Sequence, residues 1–143
     1  MPAFRLDTRV LAGGVVAMLL LLAFDLFASL AGGRIDAFVR TPWGPFSAAT
    51  LAVTFVAMAV GGWVARRGFT WVALALTALT WVVVVATLLA IAGPDSPPQM
   101  RGVGGVLRYN AAAIVLGLAV AALGAWAGQW LAQRRQAPPP TSP

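Results

Sequence analysis

Four apolar stretches, each long enough to cross a lipid bilayer, constrain this chain more than any other feature of its sequence. They cover about residues 10–31, 46–65, 69–92 and 109–132. A spanning helix uses about 20 residues, so four spans and their connections nearly exhaust the 143 residues. In lipid the backbone must satisfy its own hydrogen bonds, which favours helices. We therefore predict an all-α polytopic membrane protein: one up-down bundle of four transmembrane helices over residues 1–136, followed by a disordered, proline-rich tail at 137–143.

The composition agrees with a membrane protein and excludes most enzyme chemistry. The chain is 60% hydrophobic and 10% charged, whereas soluble domains are about 45–50% apolar and 25% charged. It contains no cysteine and no histidine, which removes disulfides, thiolate nucleophiles, the usual zinc ligands and the commonest general base. The remaining candidates do not assemble into a nucleophile and a base; they are Asp25, Asp36, Asp95, Tyr109 and Asn110. We expect no enzymatic activity, no cofactor and no metal.

The basic residues are all arginine and the acidic residues are all aspartate, a bias typical of high-GC bacterial genomes. The net charge of +6 is not evidence for nucleic-acid binding, because the arginines occur singly or in pairs beside apolar runs and form no basic stripe. The expected partner is the lipid bilayer, with a second membrane protein or another copy of the chain as a possible helix-packing partner.

The distribution of arginine predicts the orientation of the spans. One side of the predicted bundle holds six arginines and the other holds four, namely Arg5, Arg9, Arg66, Arg67, Arg134 and Arg135 against Arg34, Arg40, Arg101 and Arg108. Arginine near span ends is retained in the cytoplasm, most strictly in short loops. The pattern predicts a multi-pass protein of the bacterial inner (cytoplasmic) membrane with both termini in the cytoplasm. The topology-setting pairs are Arg66-Arg67 and Arg134-Arg135.

Residues 1–31 have a second interpretation, a cleaved signal peptide. Basic residues precede an apolar run, and Ser29-Leu30-Ala31 resembles a cleavage site. We favour a permanent first span, because the run exceeds a signal core of about 7–15 residues and contains Asp25.

The two longer connections carry different signals. In residues 32–45, the segment Arg34–Arg40 predicts a short interfacial helical turn that ends before Pro42. Residues 93–108 are rich in proline and glycine, which predicts an extended, irregular loop.

The second and fourth spans end alike, in Gly61-Gly62-Trp63-Val64-Ala65-Arg66-Arg67 and in Gly128-Gln129-Trp130-Leu131-Ala132-Gln133-Arg134-Arg135. A duplicated helical hairpin would explain the similarity. The shared demand for an interfacial tryptophan followed by arginines explains it as well, and we favour that explanation. With Leu79-Thr80-Trp81 in the third run, residues 46–92 resemble small, uncharacterised bacterial inner-membrane proteins of four helices in which GG-aromatic-x-A-R ends a helix. That resemblance implies no activity.

Small and weakly polar residues mark the predicted packing faces. The third span has such a stripe, made of Thr70, Ala73, Thr77, Thr80, Val84 and Thr87. The fourth has Asn110, Ala113, Gly117, Ala121, Gly124 and Gly128, and the second has Ala57, Gly61 and Ala65. Helices in lipid associate through such residues. The stripes predict either a seam within the bundle, which is the default, or a surface for a partner helix; the candidate packing residues are Gly61, Gly117, Gly124, Gly128, Thr77 and Thr80.

Asp25 is the one charged residue well inside an apolar run. An aspartate at a helix centre costs about 2.5–3.5 kcal/mol, and Asp25 shares a helix face with Gly14, Met18 and Leu21. It is either a proton or cation site of a small transporter, or a structural group held by Ser29, the threonine stripe or one of three arginines: Arg34, Arg101 and Arg108. We favour the structural role, since a carboxylate within two turns of the interface is reached by water and by long arginines.

In size and helix number the chain is similar to the small multidrug-resistance transporters, which carry an acidic residue in the first helix. It departs from them in its two longer connections, its arginine bias and the absence of a shared local motif. The sequence thus predicts a small structural or accessory membrane protein that acts through helix packing. The alternative is a minimal proton- or cation-coupled small-solute transporter that uses Asp25.

Overall fold

The computed structural model describes residues 7–31, 38–93, 96–97 and 102–135, and within them it contains five helices and one β-hairpin. In chain order the elements are α1 (Thr8–Leu30), β1 (Phe38–Thr41), β2 (Gly44–Ser47), α2 (Ala48–Ala65), α3 (Phe69–Ile91), α4 (Val103–Tyr109) and α5 (Ala111–Arg134). Four helices, α1, α2, α3 and α5, are long and apolar enough to cross a membrane, as predicted. The predictions for Arg34, Arg101 and the tail at 137–143 lie outside the described residues.

The outward faces of the four long helices are apolar, which is the arrangement of a multi-pass membrane protein. Large hydrophobic side chains such as Leu19, Leu26 and Val82 are about 60% exposed in the isolated chain, at 59%, 63% and 63%. A soluble protein would not present so much continuous apolar surface to water. These faces fit the hydrocarbon of a bilayer.

Helices α2 and α5 run parallel and form the most extensive helix pair. Gly124 lies against the backbone of Phe55, and one turn further along Gly128 lies against the backbone of Ala59. Because the contacts advance in the same direction on both helices, α2 and α5 run the same way.

Two further pairs, α1 with α2 and α3 with α5, are antiparallel. Gly13 near the start of α1 contacts Gly61 near the end of α2, and Phe69 at the start of α3 bonds to Gln129 near the end of α5. The end of the bundle that contains these contacts and the α2–α3 connection is here named the turn end. The opposite end, which contains β1, β2 and α4, is named the hairpin end.

The buried core lies at the turn end and consists mainly of alanine. Its members are Ala17, Met58, Ala65, Phe69, Ala73, Ala121 and Ala125. Small side chains let the helix backbones approach closely, and in lipid such packing replaces the hydrophobic effect as the source of association. Phe69 is fully buried and fills the space over Gly61, where a Cβ would come within 2.6 Å of its ring.

The α2–α3 connection is a sharp turn centred on Arg66. The Arg67 N–H donates to the carbonyl of Ala65 at 2.8 Å, and Arg66 has φ 67° and ψ −37°, so a γ-turn ends α2. Gly68 then adopts the left-handed conformation, with φ 74°, which glycine accepts without steric cost. The turn brings Arg66 and Arg67 directly to the end of the bundle.

The interfacial helical turn predicted over Arg34–Arg40 is wrong in its described part. Residues Phe38–Thr41 form β1, which pairs antiparallel with β2 in the register Phe38 with Ser47 and Arg40 with Pro45. Proline interrupts helical hydrogen bonding but is tolerated on an edge strand. Ser47 accepts from the Thr50 N–H at 3.1 Å, so this N-cap starts the second helix at Ala48, two residues later than predicted.

The loop predicted over residues 93–108 is also partly wrong, because Val103–Tyr109 forms α4. Its valine and glycine content disfavours a helix. The burial of Val106, which is 1% exposed, supplies tertiary stabilisation that local propensity lacks. Asn110 separates α4 from α5 and its side chain donates to the Val106 carbonyl at 2.9 Å. The fourth span therefore begins after a break at Asn110 and not at Tyr109.

Candidate functional site

A cavity of about 420 Å³ lies between the long helices at the hairpin end. Its wall is mainly apolar, with Met18, Leu21, Leu22, Phe46, Leu51, Leu76 and Val84 among its members. Its size falls in the range of about 300–1,000 Å³ that is typical of small-molecule sites. A site of this kind uses a few polar groups to orient its ligand.

Asp25 is the charged group of this cavity. It lies on the face of α1 that also carries Met18, Leu21 and Leu22, and all four residues line the cavity. Its side chain is nevertheless exposed in the isolated chain. Asp25 therefore lies at the mouth of the cavity, between the cavity and the bilayer.

No described residue is an ion-pair or hydrogen-bond partner of the Asp25 carboxylate. Of the three arginines considered from the sequence, Arg108 lines a different depression. Three of the cavity threonines donate elsewhere. The hydroxyls of Thr54, Thr77 and Thr80 donate to the carbonyls four residues earlier, at 2.8, 2.8 and 2.9 Å.

This arrangement of the threonines determines what the cavity can bind. A hydroxyl whose hydrogen is bonded to its own helix still offers oxygen lone pairs as acceptors. The cavity thus combines a carboxylate with several acceptor oxygens, and Trp81 adds an indole ring to the wall, a group whose face attracts cations. These features together suit a cation or a hydrogen-bond donor.

A second, more open depression of about 910 Å³ lies beside the cavity and is here named the arginine cleft. It is lined by Phe38, Arg40, Thr41, Pro42, Gly44, Pro45, Gly105, Arg108 and Tyr109. Phe38 and Pro45 line the cavity as well, so the two spaces are neighbours across these side chains. The cleft unites arginines that lie far apart in the sequence.

The predicted packing residues divide between the two ends. Gly61, Gly124 and Gly128 are buried at the turn end against Phe69, Phe55 and Ala59. Gly117 lies at the cavity, where a Cβ would be 3.5 Å from Nε1 of Trp81. Thr77 is buried and Thr80 is exposed, and both line the cavity. Gly61, Gly124 and Gly128 thus pack within the chain, whereas Gly117 lies at the wider part of the bundle.

The arginines predicted to set the topology gather at the turn end. The guanidinium of Arg134 lies 3.6 Å from the ring centre of Trp130, and that of Arg135 lies 5.7 Å from the ring centre of Trp63. Arg66 and Arg67 lie in the adjoining turn. Such cation–π contacts hold the arginines beside the tryptophans.

Sequence reasoning missed Gln129, whose amide joins α5 to α3. Its Oε1 accepts from the Phe69 N–H at 3.3 Å, and its Nε2 donates to Thr70 Oγ1 at 2.8 Å and to the Ala125 carbonyl at 3.1 Å. The amide satisfies a backbone N–H of the first turn of α3, where no carbonyl of the helix is available. The one sequence signal was an isolated amide inside an apolar run.

In the part of the chain that the structure describes, no three acidic residues lie close enough together to hold a metal ion.

Comparison with known proteins adds no assignment to this geometry. Neither a protein-family model, nor a curated protein, nor a solved structure matches this chain.

Proposed function

We propose that this protein is a small multi-pass carrier of the bacterial inner membrane that binds a cation or a proton-exchanging solute at Asp25. The observation that carries the proposal is the position of this carboxylate at the mouth of a cavity of ligand size. Ionisable groups within spans mark ion and substrate pathways when they face a cavity instead of lipid.

The energetic argument rests on the surroundings of Asp25. A carboxylate without a counter-charge is costly in the hydrocarbon, by up to about 2.5–3.5 kcal/mol at the centre of a span on the insertion scale. No described residue offsets this cost by an ion pair. A proton or a bound cation removes the charge, and exchange of one for the other is the elementary step of a coupled carrier.

The competing proposal is an accessory protein that acts by packing against a partner or a second copy. Its sequence support was the glycine stripe, but Gly61, Gly124 and Gly128 are buried inside the chain. A partner would have to use other residues. Purification from native membranes in mild detergent separates the two proposals, because an accessory protein co-purifies with a stable partner and a carrier does not require one.

Both termini are proposed to lie in the cytoplasm. The support is the arginine bias, with Arg66, Arg67, Arg134 and Arg135 together at the turn end. The absence of cysteine from the chain makes a direct test simple. A single cysteine at Gly68 should be protected from an impermeant thiol reagent in intact cells, whereas one at Trp43 should be labelled; the reverse result would invert the orientation.

The carrier proposal is tested with Asp25→Asn in proteoliposomes that contain a pH-sensitive dye. We expect the unchanged protein to release protons when sodium, potassium or tetramethylammonium is added outside, and Asp25→Asn to match empty liposomes. Asp7→Asn is the matched control, because Asp7 caps the start of α1 outside the apolar run and should leave exchange intact. Exchange by Asp25→Asn at the unchanged rate would refute the role of the carboxylate.

A further inference from the structure

We infer that the arginine cleft is a binding site for the phosphate group of an anionic membrane lipid, with Arg40 and Arg108 as its ligands. The two guanidinium groups come from β1 and α4 and line one depression of about 910 Å³. This inference uses neither Asp25 nor any transport activity, so it stands or falls independently of the proposed function.

The fold brings Arg40 to the cleft through the pairing of the hairpin. Side chains two residues apart on a strand point to the same face, and Arg40 shares its face with Phe38. Across the pair, Arg40 is opposite Pro45. Phe38, Arg40 and Pro45 all line the cleft, so the inner face of the hairpin forms one of its walls.

The other wall is α4, and the hairpin contacts the chain at the end of α4 and at the start of α5. Gly44 fits against the carbonyl of Tyr109, where a Cβ would collide with the backbone, and the Ala112 N–H donates to the Trp43 carbonyl at 3.1 Å. These backbone contacts fix Arg108 relative to the hairpin. The backbone positions of the two arginines are therefore set before any ligand arrives, so binding has to order only their side chains.

The charge of the cleft is unbalanced within the described residues. The guanidinium groups of Arg40 and Arg108 have no hydrogen bond or ion pair with a described residue. The two described acidic residues lie elsewhere, Asp7 at the far end of α1 and Asp25 in the cavity. A planar guanidinium binds phosphate oxygens in a bidentate manner, so two arginines that line one depression suit a phosphate group.

The aromatic surroundings favour a lipid over a water-soluble phosphate. Phe38 is 64% exposed and Tyr109 is 43% exposed in the isolated chain, and both line the cleft. Phe38 also borders the apolar cavity. A lipid whose phosphate is bound by the arginines would thus have its acyl chains beside Phe38 and the hydrocarbon. Its headgroup would lie at the level where the spans end.

The test compares the binding of two lipids to the purified full chain by native mass spectrometry. Phosphatidylglycerol, which carries one net negative phosphodiester, should bind in preference to phosphatidylcholine. Arg40→Gln with Arg108→Gln should weaken phosphatidylglycerol binding by about tenfold or more, because the charge-assisted hydrogen bonds to the phosphate are lost. Both side chains are exposed, so the helical circular dichroism should not change.

Two further variants separate this site from ordinary interfacial contacts. Arg67→Gln with Arg134→Gln removes the same charge at the turn end and should leave the preference intact. Arg40→Lys with Arg108→Lys keeps the charge but loses the planar fork, and should show an intermediate affinity. Equal weakening by the turn-end pair, or no preference for the anionic lipid in the unchanged protein, would overturn the inference.

Competition with inorganic phosphate distinguishes the two sources of the phosphate group. If the lipid is the ligand, excess inorganic phosphate should not displace phosphatidylglycerol, because the free ion makes none of the apolar contacts of the lipid. Displacement by inorganic phosphate at comparable concentration would overturn the assignment to a lipid.

Discussion

The turn end and the hairpin end of the bundle are built from the same helices but differ in how closely those helices approach. At the turn end, Gly62 and Gly128 face the backbones of Ala125 and Ala59, with no room for a Cβ. At the hairpin end, Gly117 has only an ordinary contact with Trp81, and the helices enclose a cavity of about 420 Å³.

The difference follows from side-chain volume. Glycine and alanine let backbones meet at the turn end, whereas Met18, Leu51 and Trp81 keep the helices apart at the hairpin end. Close packing makes one end rigid, and the wide end holds Asp25 and its neighbouring acceptors. A ligand site is most precise when rigid elements support it, and in the proposed carrier the turn end would give that support to the cavity at the hairpin end.

The largest expected effect is that of adding a methyl group to Gly128. The new Cβ would collide with the Ala59 carbonyl. This carbonyl is part of the α2 backbone and cannot move aside as a side chain can, so α2 and α5 must separate. We expect Gly128→Ala to lower the free energy of unfolding by about 3 kcal/mol, the upper part of the range for overpacking. Titration of the detergent-solubilised protein with dodecyl sulfate, followed by circular dichroism, measures it.

Gly117→Ala is the matched control on the same helix. Its Cβ would lie 3.5 Å from Trp81 Nε1, an ordinary contact, and alanine favours the helix by about 1 kcal/mol over glycine. We expect unchanged or slightly higher stability. Equal destabilisation by the two substitutions would remove the distinction between a closed and an open end.

A smaller loss is expected for Gln129→Leu. Leucine preserves the volume but leaves the buried Phe69 N–H without its acceptor, and an unsatisfied buried donor costs about 1–3 kcal/mol. The same titration measures the loss. Gln133→Leu is the control, because Gln133 bonds to the exposed carbonyl of Arg66, which water can satisfy. If both variants were equally stable, Gln129 would not join the two helices.

The sequence predicted the helices well because each is a long apolar run. The boundaries of α1 and α3 lie within two residues of those expected, at Thr8–Leu30 and Phe69–Ile91. Such runs are recognisable without tertiary information, because an apolar stretch in lipid can satisfy its backbone hydrogen bonds only by forming a helix. Asp25 was singled out for the corresponding reason, its charge within such a run.

The hairpin end could not be predicted from local signals. Strands β1 and β2 have four residues each, too few for a clear alternation, and α4 depends on the burial of Val106. The arginine cleft forms only when tertiary contacts bring Arg40 and Arg108, which are far apart in the sequence, to the same depression. The cavity likewise depends on how large side chains from several helices pack, which no single helix encodes.

The smallest effect on stability is expected for Thr80→Val, which tests the chemistry of the open end. The Thr80 hydroxyl donates to the Leu76 carbonyl at 2.9 Å, a bond that contributes little to a helix that is already hydrogen-bonded. We expect a change in unfolding free energy within about 0.5 kcal/mol. Cation-driven proton release should nevertheless require a higher cation concentration, because an acceptor oxygen has been removed from the cavity wall.

Thr87→Val is a close control for this substitution. Its hydroxyl donates to the Val83 carbonyl at 2.9 Å in the same way, but Thr87 is not among the residues that line the cavity. The two variants should have the same stability and differ only in the cation concentration that gives half-maximal proton release. A parallel shift in both would mean that the threonines act on α3 itself, whereas a shift confined to Thr80→Val would identify its oxygen as part of the surface that meets the cation.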